Sequence, residues 1–247
     1  MKGKKFYCVL LCFGLTTALS QQETNDYSKS NIATDKLHDF GSAITDYDAA
    51  CATNFYNLGT AYLKNGDWEK ALTNFNKAID LNPKLARAYN NRGSIKVGHP
   101  IKNEIYDQVG ALTDFNKSIE LEPDFLEPYI NRGRVKKAEK DFDGALKDFN
   151  RAIEIKPDDE EAYVFRGQVK IEKNDLDGAV SDMNVAIKLN QNNKMTALAY
   201  GCRSAIERHN GDLKSALADS EKAIALDPES KNYKAIRETV QKQIQSK

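Results

Sequence analysis

A pattern of 34 residues recurs along this chain and confines it to one kind of architecture. Phe55, Leu58, Gly59, Tyr62, Ala71, Phe75, Ala78 and Pro83 return at the same spacing as Tyr129, Arg132, Gly133, Lys136, Ala145, Phe149, Ala152 and Pro157. A repeat of this length is one supersecondary unit that cannot bury its apolar face alone. Successive units therefore stack, and function is left to an extended surface rather than a deep pocket. Small residues at the eighth and twentieth places let two antiparallel helices approach closely, and large ones at the fourth and twenty-fourth fill the space beside them.

Counted this way the units are 52–85, 86–125, 126–159, 160–196 and 197–230. Place eight holds Gly59, Gly93, Gly133, Gly167 and Ser204, and place twenty holds Ala71, Ala111, Ala145, Ala179 and Ala216. An aromatic, then Leu-Gly, Tyr, Ala, Phe, Ala and Pro at these offsets resembles the tetratricopeptide repeat family over residues 52–230. The resemblance implies an all-α fold, a right-handed α-α superhelical solenoid of stacked antiparallel helix pairs. Gln191, in the place of a proline, and Ser204, in the place of a glycine, depart from the pattern. Both ends of such an array need a cap that solvates the last apolar face. Residues 231–247 supply one as a helix with Tyr233, Ile236, Val240 and Ile244 on a single stripe. Within 21–51, Leu37, Asp39, Phe40, Ala43 and Ile44 repeat the second-helix wording Leu146, Asp148, Phe149, Ala152 and Ile153, and read as a capping half-repeat helix.

Residues 1–20 read as a signal peptide. Met1-Lys2-Gly3-Lys4-Lys5 precedes an apolar run from Phe6 to Leu19, and Ala18-Leu19-Ser20 precedes Gln21-Gln22. The run is short beside the roughly 20 residues that span a bilayer. Cys12 raises a lipoprotein anchor, but Leu11 stands where that signal wants a small residue. The segment resembles those of proteins exported by Gram-negative bacteria, so the mature chain is expected in a periplasm or outside the cell, with no membrane span.

Charge and reactive residues narrow the function. The 36 basic and 36 acidic side chains become 33 and 36 once Lys2, Lys4 and Lys5 leave with the signal. That interspersed balance lacks the basic patch of a nucleic-acid binder. Cys51 and Cys202 lie at opposite ends of an array whose helices are spaced by about 8–10 Å, too far apart for an intrachain disulfide. They read as small packing residues, with an intermolecular bridge as the sharper alternative. His38, His99 and His209 stand alone, and no phosphate loop or nucleophile elbow is present. Neither a metal, a cofactor nor catalysis is expected. The acidic pairs Asp158-Asp159 and Glu160-Glu161 fall at a helix start, where the helix dipole favours negative charge.

Comparing the units with one another separates stacking from binding. Places seven and twenty-three are Leu58 and Asn74 in unit one, but Arg92, Arg132, Arg166 and Arg203 with Asp114, Asp148, Asp182 and Asp219 in the others. Joint change predicts an Arg–Asp pair within a unit or between adjoining units. Tyr62 with Lys70 likewise becomes Lys96, Lys136 and Lys170 with Gly110, Gly144 and Gly178, as though the glycine made room for the lysine stem. Two irregularities remain. Six extra residues between Val97 and Tyr106, including apolar Ile101, Ile105 and Tyr106, form a long turn suited to covering a helix edge or meeting a partner. Three more near Gln191 to Thr196 are expected to loosen the joint before unit five.

The resemblance further implies a concave groove lined by the first helices, faced by places two, five, six, nine, twelve and thirteen. Place six is Asn57, Asn91 and Asn131, followed by Phe165 and Cys202. Asparagine is a poor mid-helix residue, and its carboxamide matches both polar groups of a peptide backbone. Tyr56, Arg87, Asn90, Arg134, Lys137 and Gln168 would surround this row. The family's clamp for chaperone tails is not reproduced: the corresponding series is Tyr56, Thr60, Asn91, Glu127 and Asn131, of which Asn91 alone fits. The expected function is an exported scaffold or adaptor that binds a protein or peptide segment. The alternative is a self-associating structural subunit of an envelope complex.

Overall fold

The computed structural model describes the backbone of residues 31–98 and 107–246, with side chains from Asp46 onward. The signal segment and most of the long turn of unit two, residues 99–106, lie outside the described residues. The chain divides into two compact units, Met1–Ala50 and Cys51–Lys247, and the helix stack belongs to the second.

All regular structure among the described residues is helical. α1 (Asn31–Lys64) supplies the first helix of unit one from Ala52, and α2 (Trp68–Leu81) the second. The next pairs are α3 (Ala86–Gly98) with α4 (Gln108–Leu121), α5 (Leu126–Ala138) with α6 (Phe142–Ile155), and α7 (Glu160–Glu172) with α8 (Leu176–Leu189). α9 (Asn193–His209) and α10 (Leu213–Leu226) form unit five, and α11 (Lys231–Gln245) closes the series. The half-repeat wording at 37–44 lies within α1, where the side chains are outside the described residues. No glycine or proline between Ile44 and Phe55 ends that helix early.

Each second helix starts on the same device. Asp67, Asp107, Asp141, Asp175 and Asp212 accept a hydrogen bond from the backbone N–H three residues on, satisfying a donor with no partner in the helix itself. In four units the preceding turn passes through a left-handed residue, Gly66, Lys140, Asn174 or Gly211, which reverses the chain in a few residues.

The two small places do what close packing requires. A Cβ added to Gly59, Gly93 or Gly133 would stand 2.8 Å from the ring of Phe75, Phe115 or Phe149, and one on Gly167 would stand 2.6 Å from Met183. Unit five changes both partners: Ser204 replaces the glycine, Ser220 replaces the large residue, and Ser204 Oγ donates to the Ala216 carbonyl at 2.6 Å. Ser204 is thus a compensated exchange.

The Arg–Asp pairs are present in all four units, each bidentate, with Nε and Nη2 donating to the carboxylate at 2.5–3.0 Å. The aspartates are nearly inaccessible. Nη1 of the same arginines donates at 2.5–2.8 Å to Asn76, Asn116, Asn150 and Asn184 of the preceding unit. Each guanidinium also lies 5.3–5.6 Å from the ring centre of Tyr89, Tyr129, Tyr163 or Tyr200. One arginine therefore joins the two helices of its own unit and fastens that unit to the one before. Lys96, Lys136 and Lys170 reach the same aspartates at 2.9–3.0 Å. The glycines at place nineteen stand beside both the lysine and the cap. Lys96 Nζ and Lys170 Nζ donate to the Gly110 and Gly178 carbonyls at 3.3 Å, and a Cβ on Gly110, Gly144 or Gly178 would meet the capping carboxylate as it is oriented there at 2.0–2.2 Å, whereas units one and five make the same cap with Lys70 and Ser215 at this place.

The joint before unit five is fastened rather than loosened. Glu160, buried to 3 % exposure, accepts from the backbone N–H of Gln191 at 2.9 Å, that of Asn192 at 2.7 Å, and the Thr196 hydroxyl at 2.5 Å. The missing proline has its reason here, since a proline at 191 would have no N–H to donate.

Unit five also puts Glu207 where units two to four have lysine. Its Oε1 lies 3.7 Å from Arg203 Nε, and its Oε2 is buried with no hydrogen-bond partner. Burial first, then the Asp219 and Asp212 carboxylates, push the Glu207 carboxyl up to about 7, against the pull of Arg203 and Lys222. A carboxyl whose value rises on folding from 4.5 contributes stability that is complete below pH 4.5 and lost as pH rises through about 7. Glu207→Lys, which restores the wording of units two to four, is expected to stabilise the protein by about 1–2 kcal/mol at pH 8 after allowance for solvent screening. Urea midpoints from pH 4 to 8 check this; an unchanged slope in the variant rules Glu207 out.

Candidate functional site

The first helices present two hollows side by side. One, of about 540 Å³, lies between α3, α5 and α7 and is lined by Ser94, Asn131, Arg134, Lys137 and Phe165. The other, of about 520 Å³, lies between α7, α9 and α11 and is chiefly apolar, with Ile171, Leu198, Cys202, Tyr233 and Ile236 in its wall. Gln168 links a lining residue of each: its Oε1 accepts from Lys137 Nζ at 2.5 Å, and its side chain also meets the Cys202 thiol.

The asparagine row is only partly open. Asn57 is exposed, while Asn91 and Asn131 are half-buried and tied into a network that crosses from α3 to α5. Asn131 Nδ2 donates to Asn90 Oδ1 at 3.0 Å and to Ser94 Oγ at 3.2 Å, and Asn90 Nδ2 donates to Asn91 Oδ1 at 3.3 Å. Asn90, expected among the adaptable contacts, is instead a buried link between units, 5 % exposed. Half-buried carboxamides facing one another across two helices satisfy each other first. Among the described residues the Asn91 amide nitrogen and the Asn131 amide oxygen take no part in this network.

The other expected residues separate. Tyr56 turns its ring toward Phe75, 5.9 Å between centres, and contributes to the core edge of unit one. Arg87 lines neither hollow; its guanidinium sits 5.6 Å from the ring centre of Phe125, beside the turn at 122–125. Arg134 does reach the first hollow, 5.0 Å from the centre of Phe165 and 4.0 Å from Glu161.

Phe165 was expected on the groove face but not among the binding residues. It forms the floor of the first hollow, stacked on Phe149 at 5.9 Å and overlaid by both Arg134 and Lys137. The available signal was an aromatic at the place where three units carry asparagine. Burial lowers the Lys137 ammonium, with Arg134 acting in the same direction. Burial also pushes the Cys202 thiol up, which keeps it protonated and a poor partner for disulfide exchange. Among the described residues no three or more His, Cys, Asp and Glu side chains are grouped to hold a metal ion.

Comparison with known proteins follows the same lines. Family models described as TPR repeat and Tetratricopeptide repeat match residues 59–97 and residues 126–159 and 160–193. Photosystem I assembly protein Ycf3 of Acaryochloris marina is 29% identical over 90 residues, 33% of this chain and 54% of that protein, so the chain spans about half the length of this relative. Among solved structures, Pseudomonas aeruginosa pilF has a TM-score of 0.69 at 14% identity, covering 80% of this chain and 86% of that one. YrrB, described as a TPR protein with an unusual peptide-binding site, has a TM-score of 0.56 at 22% identity, covering 74% and 90%. At such identities these structures speak for the fold alone. With the repeated wording, the successive helix pairs and the matched models in agreement, the chain belongs to the tetratricopeptide repeat proteins, whose fold serves as a scaffold for protein–protein interaction.

Proposed function

We propose that this protein is an exported adaptor that holds an extended peptide or protein segment along its first helices. The observation that carries the reading is the pair of hollows on the first helices, with an amide nitrogen of Asn91 and an amide oxygen of Asn131 left over from the network that joins their helices. An extended segment advances ~3.3 Å per residue, so a few residues pass from one helix layer to the next. A free amide nitrogen on one layer and a free amide oxygen on the next suit a backbone carbonyl and N–H, holding the chain without reading its side chains. Export is supported by the basic start and apolar run of residues 1–20. No helix among the described residues is long and apolar enough to cross a membrane.

Asn57→Ala with Asn91→Ala leaves the Asn131 bonds to Asn90 and Ser94 in place. It removes the acceptor of buried Asn90 Nδ2, so a loss of about 1 kcal/mol in urea denaturation is expected, and peptide capture is expected to weaken about fivefold to tenfold under conditions where the variant stays folded. Fractionation of cells that express the full chain is expected to recover, outside the inner membrane, a product beginning at Gln21. Unaltered capture by the double variant would remove the asparagine row from the site. A concentration-dependent dimer with an empty groove would transfer the function to self-association.

A further inference from the structure

The first hollow contains a cation that the protein does not neutralise. Lys96, Lys136 and Lys170 each have an aspartate within 3.0 Å. Lys137 is half-buried as well, but its ammonium donates to the neutral Gln168 and lies 5.5 Å from the centre of Phe165. Among the described residues no carboxylate stands within ion-pair distance of it; Glu172 is the acid whose field it feels. Arg134, on the same ring, has Glu161 only at 4.0 Å, and its own side chain is 53 % exposed. Two cations thus share one aromatic face with a single carboxylate at the limit of contact. Withdrawing a charge from water without a counter-charge is unfavourable, and a ligand that brings the counter-charge recovers that loss. The aromatic floor below holds the two cations apart and in place.

We propose that this hollow receives an aspartate or glutamate side chain of the bound segment, its carboxylate set between Lys137 Nζ and the Arg134 guanidinium above Phe165. The proposal rests on the groove reading. A side chain fits better than a chain terminus because first helices flank the hollow on both sides, α3 with Asn91 on one and, past Gln168, α9 with the apolar hollow at Leu198 and Cys202 on the other. The segment therefore passes the two cations and does not end on them. Arg134 and Lys137 lie at places nine and twelve, apart from the chaperone-tail series that this chain lacks. The partner is accordingly an extended segment with an acidic residue near its middle.

Nonapeptides selected from a random pool on the full chain, acetylated and amidated at their ends, test this. The selected pool is expected to be enriched in Asp or Glu at one place. Fluorescence anisotropy is expected to show a peptide with Glu there binding about tenfold more tightly than its Gln version, with the difference shrinking as salt rises. In Lys137→Gln the two should bind alike while the urea midpoint stays unchanged; Arg134→Gln should reduce the difference in part. Peptides that bind the parent chain with no acidic preference, or a preference that survives Lys137→Gln, overturn the inference and leave the groove reading standing. Failure to select any peptide overturns both.

Discussion

Asp148→Asn is expected to cost about 3 kcal/mol of unfolding free energy. Asp148 is 3 % exposed and receives three donors from two cations, Arg132 twice and Lys136 once. With an amide in its place, the guanidinium keeps Asn116 and the Tyr129 ring but loses the charge that offset its own desolvation. The protein contains its own control. Unit one carries Leu58 and Asn74 at these places, with Asn74 Nδ2 turned back to the Lys70 carbonyl at 2.7 Å. Arg132→Leu combined with Asp148→Asn should therefore cost less than the sum of the single changes, by a coupling of about 1.5–3 kcal/mol in urea denaturation. Strict additivity would mean the pair contributes nothing. Charge reversal is the poorer test, because an arginine at 148 would face Lys136.

Glu160→Ala is expected to divide the array. One carboxylate gathers three donors from the segment that joins α8 to α9, and hydrogen bonds to an ionised group contribute about 1.5–3 kcal/mol each. Two of the donors are backbone N–H groups, so the substitution leaves them partly buried and unanswered. Desolvation of the carboxylate offsets part of the gain, and the net loss is about 3 kcal/mol, confined to the contact between unit four and unit five. In a stacked array a weakened contact between neighbours separates the melting of the two sides. Hydrogen exchange should show α9, α10 and α11 opening before α5 and α6 in the variant and together with them in the parent. Exchange that remains uniform along the stack would mean the joint is held by apolar packing at Ala186 and Ala199 instead.

Much of the fold was legible because its determinants recur every 34 residues. Gly59 under Phe75, Ala71 in the core and Arg132 on Asp148 each answer a demand that every unit makes, so comparison of the units exposes it. The same comparison missed a second neighbour of Gly144. Asp141, three residues earlier, caps the helix through the Gly144 N–H, a backbone contact that pairing of side-chain places does not reveal. Asn116 escaped notice because its partner belongs to the next unit.

The candidate site was legible as a face and not as a set of residues. Places on the first helices follow from helical geometry, which is local. Whether a residue at such a place is free depends on what the neighbouring helix puts opposite. Asn131 is engaged by Asn90, 41 residues earlier, and Lys137 by Gln168, 31 residues later. Glu160 likewise closes an irregular joint 31 residues away. The sequence by itself determined the helix pairs, their stacking residues and the face proposed for binding, because those depend on short periods and on side-chain size. Only the tertiary structure decided which asparagines stay open, that Phe165 is a floor beneath two cations, and that Glu160 locks unit five. These outcomes arise where adjacent layers meet and polar groups far apart in the chain satisfy one another or are left without a counterpart.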